Sequence, residues 1–123
     1  MPIRVLIVDD SHPIRVMLKE MLEVNGMEIV GEASNGLEAV QKFNELAPEV
    51  TIMDIMMPQM NGIEATKRII QADPRANIIV CSVLEQMSVV SEAIKAGAKD
   101  CLVKPFYVET VVQKIKKTLA TSQ

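Results

Sequence analysis

Aromatic residues are nearly missing from this chain, which has two Phe, one Tyr and no Trp among 123 residues. Its core must therefore be aliphatic, with methionine as the adaptable gap filler. Histidine occurs once, at His12, and cysteine twice, at Cys81 and Cys101, with no CxxC pair, so a zinc set of His and Cys cannot be built. Both cysteines fall inside apolar runs and are expected to be reduced, buried thiols. No apolar run approaches the roughly 18 residues of a membrane span, and the N-terminus lacks a signal-peptide pattern. The net charge of −3 provides no general attraction to nucleic acid or anionic lipid. These absences lead to the expectation of a cytoplasmic protein with neither a membrane nor a nucleic acid as direct partner. The length suits one domain, residues 1–123, able to bury a core without disulfide or metal staples.

What the chain does have is a run of buried-strand patterns, each stopped by a polar residue. Ile3–Val8 is almost continuously apolar and ends at Asp9-Asp10, as a strand covered on both faces would. Ser11 is placed to cap the next helix and Pro13 suits its first turn, which leaves His12 on an exposed first turn. Ile14, Met17, Leu18, Met21 and Leu22 then repeat at helical spacing, until Asn25-Gly26 ends the helix. Met27–Ala33 is strand-like but carries Glu28 and Glu32, which marks a sheet edge. Asn35-Gly36 and Asn61-Gly62 each open a helix, with Glu38 and Glu64 at the third position after the Asn cap.

Between those two helices lies Val50–Met53, a strand that runs into Asp54. The third helix extends to about Gln71, and a fourth strand, Ile78–Cys81, ends at Ser82. A helix from about Gln86 to Ala96 stops at Gly97, and the short strand Asp100–Val103 ends at Lys104-Pro105. The last helix has Val108, Val111, Val112, Ile115 and Leu119 on one side and Lys114, Lys116 and Lys117 outside. That basic stripe reads as a solvated face, with an acidic partner or a second copy as alternatives. The tail from Thr118 to Gln123 reads as a terminus or the start of a linker.

Strands alternating with helices through short loops indicate an α/β fold, a doubly wound parallel sheet of five strands. The polar second strand and short fifth strand are its edges, and right-handed crossovers then favour the order 2-1-3-4-5. Strands one and three lie side by side where the winding reverses, so Asp9, Asp10 and Asp54 point into the crevice where ligands bind. Three carboxylates there repel, at about 4 kcal/mol per pair for a separation of about 4 Å and an effective dielectric of about 20. A cation is implied, and an all-oxygen set with room for water suits Mg²⁺. Ser82 brings a hydroxyl to the same rim and Lys104 an ammonium. A metal, a carboxylate nucleophile, a hydroxyl donor and a lysine together describe a site for a transferring phosphoryl group, with Asp54 attacking.

The segments VDD (8–10), DIMMPxMNG (54–62), Ser82, AGA (96–98) and VKPF (103–106) resemble the receiver domains of bacterial two-component response regulators, at the family's spacing throughout the chain. The strand order 2-1-3-4-5 is that of flavodoxin and of the receiver CheY, so it follows from the resemblance as much as from the edges. The resemblance implies that Asp54 accepts a phosphoryl group from the phosphohistidine of a sensor histidine kinase or phosphotransfer protein. It implies Mg²⁺ held by Asp10 directly, by Asp9 through water, by Asp54 and by the Met56 carbonyl. Lys104 would contact the acyl phosphate, and the Lys104–Pro105 peptide would be cis. Movement of the Ser82 hydroxyl would then remodel helix four, strand five and helix five, a surface for an output partner and a candidate homodimer contact. Such a protein is a signalling switch, not a metabolic enzyme; its chemistry is limited to self-catalysed phosphotransfer and autodephosphorylation.

Some positions depart from the family's pattern. Where the family's switch often has Tyr or Phe, three residues before the lysine, this chain has Cys101, which cannot report by turning a ring. Either the aromatic half of the switch is absent, or Cys101 simply packs an edge strand while coupling runs through the backbone. Val83 follows Ser82 where Ala or Gly is frequent, and Met56 and Leu84 are apolar where a residue can orient the hydrolytic water. Slow self-dephosphorylation is the expectation, with packing without kinetic effect as the alternative.

Other classes fit less well. An aspartyl-nucleophile phosphatase wants a second acid two residues after the nucleophile, where Met56 stands. An FMN carrier would meet Asp9-Asp10 where its phosphate should sit, with few aromatics to flank the flavin. A receiver reduced to a docking scaffold would not need the full set of Asp9, Asp10, Asp54, Ser82 and Lys104.

Overall fold

The central strands are buried along almost their whole length because both of their faces are covered. In the computed structural model, which describes residues 1–121, β1 (Arg4–Val8), β3 (Val50–Asp54) and β4 (Ile78–Ser82) form the middle of a five-stranded parallel sheet. Its order is β2-β1-β3-β4-β5, with β2 (Glu28–Ala33) and β5 (Asp100–Val103) at the edges. Alternate residues feed two cores. Leu6, Val8, Met53, Ile78 and Val80 pack on one face, and Val5, Ile7, Ile52, Ile79 and Cys81 on the other.

The first core is closed by α2 (Gly36–Leu46), α3 (Gly62–Ala72) and α4 (Val90–Ala96), through residues such as Phe43, Ile69 and Ala93. The second is closed by α1 (His12–Val24) and α5 (Val108–Thr121), through Leu18, Leu22, Val111 and Ile115. Fully burying each aliphatic side chain contributes about 1.5–3 kcal/mol before chain entropy is set against it. The polar β2 is an edge strand as its glutamates imply, and its register slips between Val5 and Leu6, leaving Val30 as the extra residue.

Helix starts follow the cap residues. Ser11 Oγ accepts from the Ile14 N–H at 3.4 Å, Asn35 Oδ1 from Glu38 at 2.8 Å and Asn61 Oδ1 from Glu64 at 3.0 Å. Gly26, at φ +82°, supplies the left-handed turn after α1. His12 is exposed on the first turn of α1, as expected.

Three expectations need correction. The helix expected from about Gln86 starts as a 3-10 segment, Leu84–Val89, and becomes α-helical only at Val90. None of the 3-10 residues is fully buried and only Val89, at its end, packs against the core, so little core contact holds that stretch to α geometry. Cys81 is a buried free thiol, but Cys101 is only partly buried, because β5 is an edge strand with incomplete cover. Lys114 does not simply face water: its ammonium donates to the Cys101 carbonyl at 2.6 Å and meets Asp100 Oδ1 at 3.3 Å. Lys116 and Lys117 are exposed. Of the tail from Thr118 to Gln123, residues to Thr121 continue α5, and 122–123 lie outside the described residues.

Candidate functional site

Parallel strands that end in step deliver their last residues to one rim. Val8 of β1 lies beside Met53 of β3, Asp54 beside Cys81 of β4, and Ser82 beside Val103 of β5. Asp9 therefore leaves β1 next to the end of β3, and Lys104 leaves β5 next to Ser82. One oxygen each from Asp9, Asp10 and Asp54 lies within 4.8 Å of the others. Lys104 Nζ reaches Asp9 Oδ2 at 2.9 Å and Asp54 Oδ1 at 3.5 Å.

Asp9 and Asp54 are 2% and 5% exposed, whereas Asp10 opens to solvent. Burial, reinforced by the Asp9 charge, raises the Asp54 pKa to about 6, although Lys104 pulls it down. Burial alone would lower the Lys104 pKa, but its hydrogen bond to Asp9 and the Asp54 charge outweigh that and raise it. Burial also pushes the Cys81 thiol up, with Asp54 adding to the effect, so this cysteine is inert.

Three carboxylates thus face one ammonium, and two of them are out of water. Such an excess of negative charge suits a divalent cation, and donors that are all oxygen favour Mg²⁺ over a soft metal. The exposed Asp10 side leaves room for ligands from solvent.

The loops are shaped to hold this rim. The Asp9 N–H donates to Ala33 O at 3.0 Å, and Asp9 Oδ1 accepts from the Ser11 N–H at 2.9 Å. Arg15, which the sequence pattern did not mark, donates from Nη1 to the Asp9 carbonyl at 2.6 Å and from Nε to Glu32 Oε1 at 3.0 Å. After β3, the Ile55 N–H donates to Cys81 O at 3.1 Å and the Gly62 N–H to Ile55 O at 2.8 Å. A Cβ at Gly62 would collide with the Asp54 carbonyl, and one at Gly36 with the Met60 carbonyl. The glycines after Asn35 and Asn61 thus serve close approach as well as helix initiation, which the Asn-Gly pattern alone does not reveal.

The other residues singled out from sequence occupy the expected elements. Met56 follows β3 with its side chain 55% exposed, and Leu84 is 70% exposed beside the half-buried Val83. The Lys104–Pro105 peptide is cis. Ser82 is buried at the end of β4, but its hydroxyl donates to the Met87 thioether at 3.5 Å. Cys101 donates its N–H to Asp100 Oδ1 at 2.8 Å and packs against the core beneath α2, α3 and α4.

A doubly wound sheet with an acidic triad and a lysine at its switch point defines a phosphoacceptor signalling domain. The family model of the response regulator receiver domain matches residues 5–116, and the chain belongs to that family. It is 55% identical over 114 residues to chemotaxis protein CheY of Thermotoga maritima, covering 93% of this chain and 95% of that one. Chemotaxis protein CheY of Bacillus subtilis is 51% identical over 116 residues, covering 94% and 97%. Among solved structures, the response regulator domain of Thermotoga maritima CheB superposes with a TM-score of 0.90 at 38% identity, covering 98% of each chain. A CheX-CheY-BeF3-Mg complex from Borrelia burgdorferi matches with a TM-score of 0.90 at 33% identity, covering 95% of this chain and 89% of that chain.

The protein is accordingly a response regulator receiver of the phosphoacceptor kind, in two-component signalling. Receiver domains work with histidine kinases and downstream partners, and bind Mg²⁺ at an aspartate cluster such as the one formed here. No helix among the described residues is long and apolar enough to cross a membrane.

Proposed function

We propose that Asp54 takes the phosphoryl group from the phosphohistidine of a sensor kinase or phosphotransfer protein. An Asp54 oxygen attacks phosphorus, the phosphorus–nitrogen bond breaks, and the imidazole leaves with the electron pair to be protonated by solvent. The reading rests on one observation above all: the Asp9, Asp10 and Asp54 oxygens lie within 4.8 Å of one another, with Lys104 Nζ 3.5 Å from Asp54. Asp9, Asp10, Asp54 and the Met56 carbonyl would hold Mg²⁺, which would neutralise the oxygens of the transferring group.

Lys104 supplies a second positive charge, and its bond to Asp9 keeps the ammonium beside Asp54. Ser82 is assigned the switch role: released from Met87, its hydroxyl bonds a phosphoryl oxygen, and the 3-10 segment follows it. The surface of α4, β5 and α5, with Cys101 on β5 and Pro105 just after it, then takes an output partner or a second copy. We read residues 1–123 as one receiver domain that acts in the cytoplasm. Its chemistry is self-catalysed transfer and slow autodephosphorylation, since the exposed Met56 and Leu84 side chains cannot orient an attacking water. Acting as a phosphatase on outside substrates is disfavoured by Met56, which stands where the proton donor would be required.

Incubation with acetyl phosphate and Mg²⁺ tests the assignment. Intact mass should rise by one phosphoryl group in the wild type and not in Asp54→Asn, and hydroxylamine should remove it. Labelling of the Asn variant would defeat the assignment, and a half-life of seconds for the purified phosphoprotein would contradict slow reset.

A further inference from the structure

The carboxylate of Asp10 is exposed and has no hydrogen bond or ion pair of its own among the described residues. Its aim at the other two carboxylates must come from the backbone that carries it. That backbone is the peptide between Asp9 and Asp10, and its carbonyl oxygen accepts the Arg15 Nη1–H at 2.6 Å. Arg15 is itself held by Glu32, through Nε at 3.0 Å, and its side chain is only 15% exposed.

Three elements meet in this contact: Asp9 at the end of β1, Arg15 on α1 and Glu32 on the edge strand β2. Glu32 lies opposite Ile7 in the β1–β2 register, directly below the turn. The glutamate that marks β2 as an edge in the sequence thus has a partner and a direction. A guanidinium can serve a carbonyl and a carboxylate at once from separate N–H groups of one rigid plane, which an ammonium cannot do in the same geometry. Since Glu32 balances the charge of Arg15, the pair adds little net field at the cluster. Its effect is to hold a peptide plane in place.

We propose that Arg15, anchored by Glu32, is a positioning residue that fixes the Asp9–Asp10 peptide and thereby sets the affinity of the acidic cluster for Mg²⁺. Partners behind a metal ligand commonly change affinity by about 10- to 100-fold when removed. The inference rests on the reading that Asp9, Asp10 and Asp54 hold that ion.

The test is titration calorimetry with MgCl₂ on the wild type, Arg15→Met, Arg15→Lys and Glu32→Gln. It is paired with acetyl phosphate labelling rates across a Mg²⁺ series and melting curves in chelator. Arg15→Met should weaken Mg²⁺ binding about tenfold or more. Glu32→Gln, nearly isosteric and able to fold if Arg15→Met does not, should weaken it in the same direction by a smaller factor. Arg15→Lys, which keeps the charge, should fail to restore the wild-type constant. The half-saturating Mg²⁺ for labelling should rise in the same proportion.

Mg²⁺ constants within about twofold of wild type in Arg15→Met and Glu32→Gln would overturn the proposal, whatever happened to the melting temperature in chelator. So would a fall in the saturating rate with unmoved Mg²⁺ constants. A wild type that bound no Mg²⁺ would instead defeat the metal site itself, and the positioning role with it.

Discussion

The Ser82 hydroxyl donates to the sulfur of Met87 at 3.5 Å, so the donor at the end of β4 is engaged by the 3-10 segment that follows it. That segment buries none of its residues, and Met87 itself is 38% exposed. The hydroxyl is thus held by a segment with little buried side chain to anchor it. A hydrogen bond of this kind is worth about 0.5–1 kcal/mol net, or about two- to fivefold in a population. Met87→Leu keeps the apolar bulk and removes the sulfur acceptor. It should raise the rate of labelling by acetyl phosphate by about that factor; an unchanged rate would show that the contact does not restrain Ser82.

The raised Asp54 pKa has a consequence for stability. Between pH 3.8 and about 6 the folded state holds a proton that the unfolded chain has released, so stability falls as pH rises through that window. Above it the full cost of a buried charge remains. Without metal at pH 7.5, Asp54→Asn should therefore be more stable than wild type by about 2–3 kcal/mol. The gain should shrink towards zero near pH 4. Urea denaturation in chelator at the two pH values measures the difference, and an Asn variant less stable at pH 7.5 would contradict the shift.

Mg²⁺ should act in the opposite sense to that buried charge. At about a hundredfold excess over its dissociation constant it should add about 2.7 kcal/mol to the wild type, on the order of 10 °C in Tm. Asp10→Asn, which removes the exposed carboxylate, should lose most of that rise while its Tm in chelator changes little. Equal rises in both proteins would place the ion elsewhere.

Lys114 joins α5 to the edge strand through the Cys101 carbonyl at 2.6 Å and Asp100 at 3.3 Å. Lys114→Met removes both contacts and should cost about 1–2 kcal/mol in chemical denaturation. Cys101 should also react faster with a thiol reagent in the variant, while the buried Cys81 stays unreactive until the protein unfolds. Equal labelling of Cys101 in both proteins would show that the clamp does not close that edge.

Gly62 allows the start of α3 to press against the carbonyl of Asp54. Gly62→Ala adds a single methyl group there and should destabilise the fold by about 1–3 kcal/mol. Labelling at Asp54 should slow as well, because the residue that must yield is the acceptor's own peptide.

The sheet and its rim were legible because the relevant information is local. Apolar runs such as Ile3–Val8 and Val50–Met53 state their burial by period, and the residue that stops each run names what reaches the rim. Asn35 and Asn61 announce helix starts by chemistry that acts within one turn. From those elements the crossover rule and the polar edge of β2 bring Asp9, Asp10, Asp54, Ser82 and Lys104 to neighbouring strand ends.

What the local pattern does not carry is which polar tip meets which. Whether Lys114 points to water or to the Cys101 carbonyl depends on the gap between α5 and β5, which packing across the whole core sets. The same holds for Arg15 reaching both Asp9 and Glu32, for Ser82 turning to Met87, and for the 3-10 start of the segment before α4. Sequence by itself determined the elements, their order and the residues at the rim, because hydrophobic period and end-capping act over a few residues. Tertiary structure alone decided the contacts that hold and aim those residues, because each depends on ångström-scale distances between elements far apart along the chain.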